Sequence, residues 1–159
     1  MQYAFFNPDS VVVELQSRGK EDAIREIIRN SPVFRVDIDR QRLEEAVLAR
    51  ERVQSTGVGH GVAFAHGKLA EIEEITVALG ISRQGIAFDS PDGKPVHLLF
   101  VVATNPGHHI DYLKCLARLA GMLRREQFRS ELVACLCREE AAEKLHQAWA
   151  LADRLAAAS

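Results

Sequence analysis

The chain has no apolar run approaching the ~20 residues needed to cross a bilayer. Its opening stretch, MQYAFFNPDSVVVELQ, carries neither a charged leader nor a cleavage site. This pattern speaks against membrane insertion, and a cytoplasmic location is expected. An excess of charge of either sign is also missing. Twenty Lys and Arg stand against twenty-two Asp and Glu, interspersed along the sequence, for a net charge of −2. No basic stripe is available to neutralise a row of phosphates, so nucleic-acid binding is disfavoured. Cysteine is scarce and odd in number, with Cys115, Cys135 and Cys137 alone. That count excludes a paired disulfide framework, and reduced thiols are expected. Cys135 and Cys137 form C-x-C inside a helical pattern, where residues two apart point to different sides. They make a poor joint metal grip and are expected to pack as small hydrophobes. No C-x-x-C or H-x-x-x-H spacing occurs, which argues against a structural zinc. Internal repeats, low-complexity tracts and linkers are absent too, so residues 1–159 are expected to form one domain.

What is present is enough apolar material for a filled core: 47% of the residues are hydrophobic and 26% charged. SVVVEL predicts a short strand. RGKEDAIREIIRNS predicts a helix with Ala23, Ile24, Ile27 and Ile28 inward. DIDRQRLEEAVLARERVQ predicts another, with Asp39 as N-cap and Leu43, Val47 and Leu48 as its buried stripe. Three strand-like runs follow, EEITVALGIS, QGIAFD and VHLLFVVAT, the last two separated by the turn SPDGKP. Val96 to Ala103 is apolar on both faces after His97, as in a central strand covered on two sides. A helical second half follows, with Ile110, Leu113, Leu116, Ala117, Ala120 and Leu123 marking one helix, FRSELVACLC a second and REEAAEKLHQAWALADRLAAAS a third. Helices, then strands, then helices predict an α/β fold with a mixed β-sheet flanked by helices on both faces.

One stretch stands apart. Ser55 to Lys68, STGVGHGVAFAHGK, places glycines and two histidines beside an apolar run. A phosphate-binding loop fails, because five residues rather than four separate Gly61 from Gly67 and Leu69 stands where a hydroxyl is needed. A metal bridged by His60 and His66 fails on distance, since the extended residues between them span about 20 Å. A nucleophilic histidine remains, since a neutral imidazole can attack phosphorus or a carbonyl carbon. Gly67 is expected to leave the backbone uncovered there, with its N–H and that of Lys68 facing developing negative charge. A strand-end histidine bonded to a carbonyl is the plain alternative.

The same residues carry a resemblance. VLARERVQSTGVGHGVAFAHGK resembles the signature of the fructose- and mannitol-type IIA component of the bacterial phosphoenolpyruvate-dependent sugar phosphotransferase system, a group that includes nitrogen-regulatory relatives. Arg50, Glu51, Ser55, Thr56, Gly57, Gly59, Gly61, Ala63 and His66 follow the family pattern in order and spacing. The similarity extends over roughly residues 5 to 146. Phe64-Ala65 stands where the family usually has an aliphatic residue and Pro, and His60 and His97 are further departures.

The resemblance implies a phosphocarrier with a phosphohistidine intermediate and no cofactor, rather than a stand-alone turnover enzyme. It places the phosphorylated histidine on His66, a second active-site histidine on His109 and an active-site arginine on Arg50. The donor it implies is the histidine-containing phosphocarrier protein. The chain is expected to stand alone, without a fused membrane or B domain, which would suit a regulatory, nitrogen-type branch. The competing function is a non-catalytic module that binds a kinase, transporter or transcription regulator.

Elementary physics supports the placement. A phosphoryl group brings close to two negative charges and needs donors within reach. TNPGHH reads as a cap, with Asn105 as N-cap and Pro106 next, so His108 and His109 fall in a first helical turn whose free N–H groups favour an anion. Arg50 is expected to stabilise the phosphorylated form or to orient the loop through carbonyl or carboxylate contacts. Thr56 is expected to bond the imidazole or shape the turn, and Val62 and Phe64 to offer either a docking surface or core packing.

Overall fold

A computed structural model describes residues 6–34 and 38–158; the two ends of the expected domain and residues 35–37 lie outside the described residues. The strands are β1 (Val11–Val12), β2 (Gly57–Gly59), β3 (Val62–Lys68), β4 (Thr76–Ile86) and β5 (Val96–Thr104). They form one mixed sheet in the order β1-β4-β5-β3-β2. β3 runs parallel to β5 and β1 parallel to β4, whereas β4–β5 and β2–β3 are antiparallel. The apolar run from Val96 is therefore the central strand, as its two-faced hydrophobicity predicts.

Among the described residues five α-helices complete the fold: α1 (Lys20–Asn30), α2 (Arg40–Val53), α3 (His109–Met122), α4 (Glu126–Ala134) and α5 (Arg138–Ala158). Successive strand residues point to opposite faces, and the core divides accordingly. Phe64, Leu79, Phe100 and Val102 pack with Tyr112, Leu119, Leu132 and Leu145 of α3 to α5. Ala65, Ala78, Leu99 and Val101 pack with Ile24, Ile27, Leu43 and Val47 of α1 and α2. Helices thus cover both faces of the sheet. Asp39 caps α2 as expected, its carboxylate accepting from the Arg42 N–H. Among the described residues no helix is long and apolar enough to cross a membrane.

Three expectations change. The runs EEITVALGIS and QGIAFD are one strand, β4, whose register slips between Ile81 and Ile86. The kink occurs where Gly85 has φ +93° and donates its N–H to Ser82 Oγ; His97 places Nδ1 2.8 Å from the Ser82 carbonyl oxygen. In α3 the buried stripe is Tyr112, Cys115, Leu119 and Met122, while Ile110 and Leu113 are 69% and 49% exposed. The helix carries two apolar stripes, and its entry through the Asn105 cap decides which one meets the sheet. Finally, C-x-C does not lie inside a helix, because α4 ends at Ala134 with Cys135 as its extended C-cap. Cys135 is buried as expected, as is Cys115, but Cys137 is exposed.

The small residues of β3 have a packing reason. A Cβ added to Gly67 would lie 2.8 Å from Val47 Cγ2 and 3.0 Å from the Val47 backbone nitrogen. Helix α2 therefore sits directly on the strand, and Gly67 serves that approach rather than opening the backbone to a reacting group. Gly67→Ala is expected to destabilise the fold by about 1–3 kcal/mol through overpacking. A lowered urea midpoint at unchanged m-value is the measurement; an unshifted midpoint contradicts the close packing.

Candidate functional site

His66 lies near the carboxyl end of β3, on the face of the sheet that carries Phe64 and looks toward α3. Parallel pairing runs through His66↔Val102 to Lys68↔Thr104. Because the two strands end side by side, the chain leaving β5 turns immediately next to His66. Asn105 accepts from the Gly107 N–H, and its amide donates to the Ala70 and Ile72 carbonyls. A single 3-10 turn over Pro106–His108 leads into α3, with His109 as its first residue. Anion sites commonly lie beyond the carboxyl ends of parallel strands, beside a helix start.

The imidazole of His66 is half-buried. Its centroid lies 5.0 Å from that of the Tyr112 ring, and Tyr112 lies 6.2 Å from the His109 ring. Tyr112 thus sits between the two histidines that the sequence nominates, one turn along α3 from the second. It is 3% exposed, and burial pushes its phenol up to about 12, partly opposed by Arg50. The ring is therefore an uncharged wall for the site at neutral pH.

Burial is the main influence on His66 and holds its pKa below the usual 6.5; Arg50 and Lys68 push the same way. The Phe64 carbonyl and Glu51 oppose them. His66 Nδ1 lies 3.4 Å from the Phe64 oxygen, so the nitrogen facing that carbonyl is the one that carries hydrogen in the neutral ring. Nε2 then keeps its lone pair. The plain expectation, a strand-end histidine near a carbonyl, and the nucleophilic one describe opposite sides of the same ring.

Arg50 donates to the Gln54 carbonyl at 3.0 Å, the loop-orienting contact expected of it, and acts electrostatically on both His66 and Tyr112. Thr56 does not bond the imidazole. Its Oγ1 and N–H donate to the two oxygens of Glu51, at 2.6 and 3.0 Å. Glu51 is 1% exposed and also meets Lys20 Nζ at 3.5 Å. The carboxylate needs these partners because an unpaired buried charge is costly. Thr56 therefore shapes the turn, tying the end of α2 to the start of β2.

The N–H alternation along β3 is legible from its flanks. Leu69 N–H bonds Thr104 on the β5 side, and Phe64 N–H bonds Thr56 on the other. Odd-numbered N–H groups thus serve the ladder with β5, so the N–H groups of Ala65 and Gly67 are occupied. The Lys68 N–H faces the open edge, in part as expected. Val62 and Phe64 are core, 3% and 7% exposed, whereas Ile110 and Leu113 of α3, close to His109 in the chain, are exposed. Among the described residues, no group of three His, Cys, Asp or Glu converges to hold a metal. His60, at φ +57°, forms the β2–β3 turn and donates its N–H to Asp92.

The family described as "Phosphoenolpyruvate-dependent sugar phosphotransferase system, EIIA 2" matches residues 4–148. The chain belongs to this EIIA 2 family. A PTS system fructose-specific EIIABC component of Bacillus subtilis is 36% identical over 78% of this chain, which spans 20% of that longer protein. A nitrogen regulatory protein of Bradyrhizobium diazoefficiens is 34% identical, over 80% of this chain and 82% of its own length. The crystal structure of the nitrogen regulatory protein IIA-Ntr from Neisseria meningitidis superposes with a TM-score of 0.80 at 29% identity, covering 87% of this chain and 94% of that one. The five-stranded mixed sheet with its two helical layers is thus the EIIA 2 fold.

Within this EIIA 2 domain, sequence reasoning passes over Tyr112 and the side chain of Lys68. Lys68 Nζ lies 3.4 Å from His109 Nδ1. Both residues have a periodic signal: Lys68 is two residues from His66 on one strand, and Tyr112 is three from His109 on one helix.

The lowered pKa of His66 has a definite consequence. Above about pH 6.5 both folded and unfolded chains hold it neutral, and its effect on stability is constant. As pH falls below that value the unfolded chain takes up a proton that the folded ring resists, so stability drops until pH passes the lowered folded value. NMR titration of the His66 ring is expected to show a midpoint below 6.5, moving up in Arg50→Gln. A wild-type midpoint at or above 6.5 contradicts this account.

Proposed function

We propose that the protein is a phosphocarrier of a nitrogen-type phosphotransferase relay, accepting a phosphoryl group on His66 Nε2. One observation carries this reading: a half-buried imidazole with its pKa held low stands within the field of two cations, Arg50 and Lys68. Neither cation forms an ion pair with a carboxylate among the described residues. Elsewhere the surface is laced with Arg–carboxylate pairs such as Arg29–Glu44 and Arg118–Asp153. Cations left without carboxylate partners beside a neutral nucleophile suit an anion that comes and goes.

The transfer balances without a further reactant. The Nε2 lone pair of neutral His66 forms a bond to phosphorus as the N–P bond of a donor phosphohistidine breaks. The donor ring leaves as neutral imidazole. The positive charge that formed on His66 is offset by the phosphoryl dianion, and its Nδ1 hydrogen stays directed at the Phe64 carbonyl. The transition state is loose and in-line, so positioning and electrostatics supply most of the acceleration. Arg50 and the first turn of α3 receive the charge on the phosphoryl oxygens.

Phosphotransferase IIA proteins take phosphoryl groups from upstream proteins of the system and pass them to IIB components. The finer assignment for this chain is the histidine-containing phosphocarrier protein as donor, in the cytoplasm. The exposed side chains of Ile110 and Leu113, on α3 next to His109, suit a dry contact with such a protein. The nitrogen-type branch is favoured by resemblance to the Bradyrhizobium and Neisseria proteins, each matched over most of its length. A module that only binds partners is not favoured, since it would need neither the low imidazole pKa nor cations without carboxylate partners.

Incubation with phosphoenolpyruvate and the general phosphotransferase proteins, followed by intact-mass measurement, tests the reading. Wild type is expected to gain one phosphoryl group and His66→Ala none. Equal gain in the two, or none in wild type while the donor itself is phosphorylated, overturns it.

A further inference from the structure

We propose that Lys68 is a positioning residue for this site, its ammonium holding His109 so that Nε2–H, and not a lone pair, faces the phosphoryl group on His66. The inference rests on the reading of His66 as the phosphoryl acceptor. Lys68 is the last residue of β3 and shares a face with His66, while its register partner Thr104 ends β5 just before the turn that delivers His109. Strand period and strand register together place the ammonium beside the second histidine.

A lysine ammonium has donors only. The His109 Nδ1 lying 3.4 Å from Lys68 Nζ must therefore accept, and the neutral ring then carries its hydrogen on Nε2. This matters because the two faces of an imidazole have opposite signs for an anion. An N–H attracts a phosphoryl oxygen, whereas a lone pair repels it. Little else restrains the ring among the described residues: His109 is exposed, and the Tyr112 ring centroid lies 6.2 Å away. No carboxylate competes for Lys68 among the described residues. Outer contacts that orient metal-ligating histidines change activity about ten- to a hundredfold, and a comparable orienting contact sets the scale here.

A positioning residue differs measurably from a second cation touching the phosphoryl group directly. If Lys68 acts through His109, the losses from Lys68→Met and His109→Ala do not multiply. The experiment measures the rate of phosphoryl acceptance on His66 in wild type, Lys68→Met, His109→Ala and the double variant, with urea midpoints to confirm folding. Lys68→Gln replaces Lys68→Met if the latter fails to fold. Lys68→Met is expected to slow acceptance about tenfold and to add less than about a twofold loss in the His109→Ala background. Lys68→Arg, which keeps a cationic donor, is expected to recover at least part of the rate. Multiplying losses, or an unchanged rate in Lys68→Met, overturn the proposal.

A second readout needs no phosphorylation. The 15N shifts of the unmodified His109 ring are expected to show hydrogen on Nε2 in wild type and to move toward a mixed tautomer in Lys68→Met. Unchanged shifts overturn the proposal. A wild-type protein that takes no phosphoryl group on His66 defeats the functional reading instead, while these shifts still decide whether Lys68 holds the second histidine.

Discussion

The parallel pairing of β3 with β5 is the constraint from which the site follows. Seven consecutive register pairs, Val62↔Leu98 to Lys68↔Thr104, bring the two strands to an end together. The chain then has to leave β5 directly beside the residue at position 66. Asn105 makes that exit abrupt: its side chain caps the 3-10 turn and reaches the Ala70 and Ile72 carbonyls. The start of α3, with His109 and Tyr112, is held against a strand that lies over forty residues away in sequence. A one-residue slip in this pairing would turn the His66 side chain to the opposite face, toward α1 and α2.

A second tie secures the other flank. Glu51, almost fully buried, accepts from Thr56 twice and from Lys20 once, joining α1, α2 and the approach to β2. Arg50 precedes it on the same helix and pairs with no carboxylate among the described residues, donating instead to the Gln54 carbonyl. The arrangement separates structural from functional charge. One carboxylate is consumed in holding the loop, and its neighbouring guanidinium keeps its field for the site. The close seat of α2 on Gly67 works in the same sense, fixing the distance between the arginine-bearing helix and the histidine-bearing strand.

The electrostatics of His66 join this scaffold to chemistry. Burial and two cations disfavour the protonated ring, and a nucleophile must be unprotonated. Those same cations favour a phosphoryl dianion once it arrives. The groups that keep the ring ready before transfer are thus the groups that stabilise it afterwards. Tyr112 contributes a buried, uncharged ring between the two histidines.

Much was legible without coordinates. The periodicity of α1 and α2, the Asp39 and Asn105 caps and the two-faced apolar run of β5 depend on local stereochemistry, so the sequence alone determined them. It also determined the identity of His66, Arg50, Thr56 and His109 as candidates, through spacing and resemblance. Tertiary structure decided matters in which two distant segments compete for one contact. It chose the inward stripe of α3, leaving Ile110 and Leu113 exposed, because helical period alone cannot say which of two apolar faces meets a sheet. It assigned Thr56 to Glu51 instead of the imidazole, and Gly67 to helix packing instead of access. It also brought Lys68 to His109 across a register that no local pattern encodes, since strand pairing is a property of the assembled sheet.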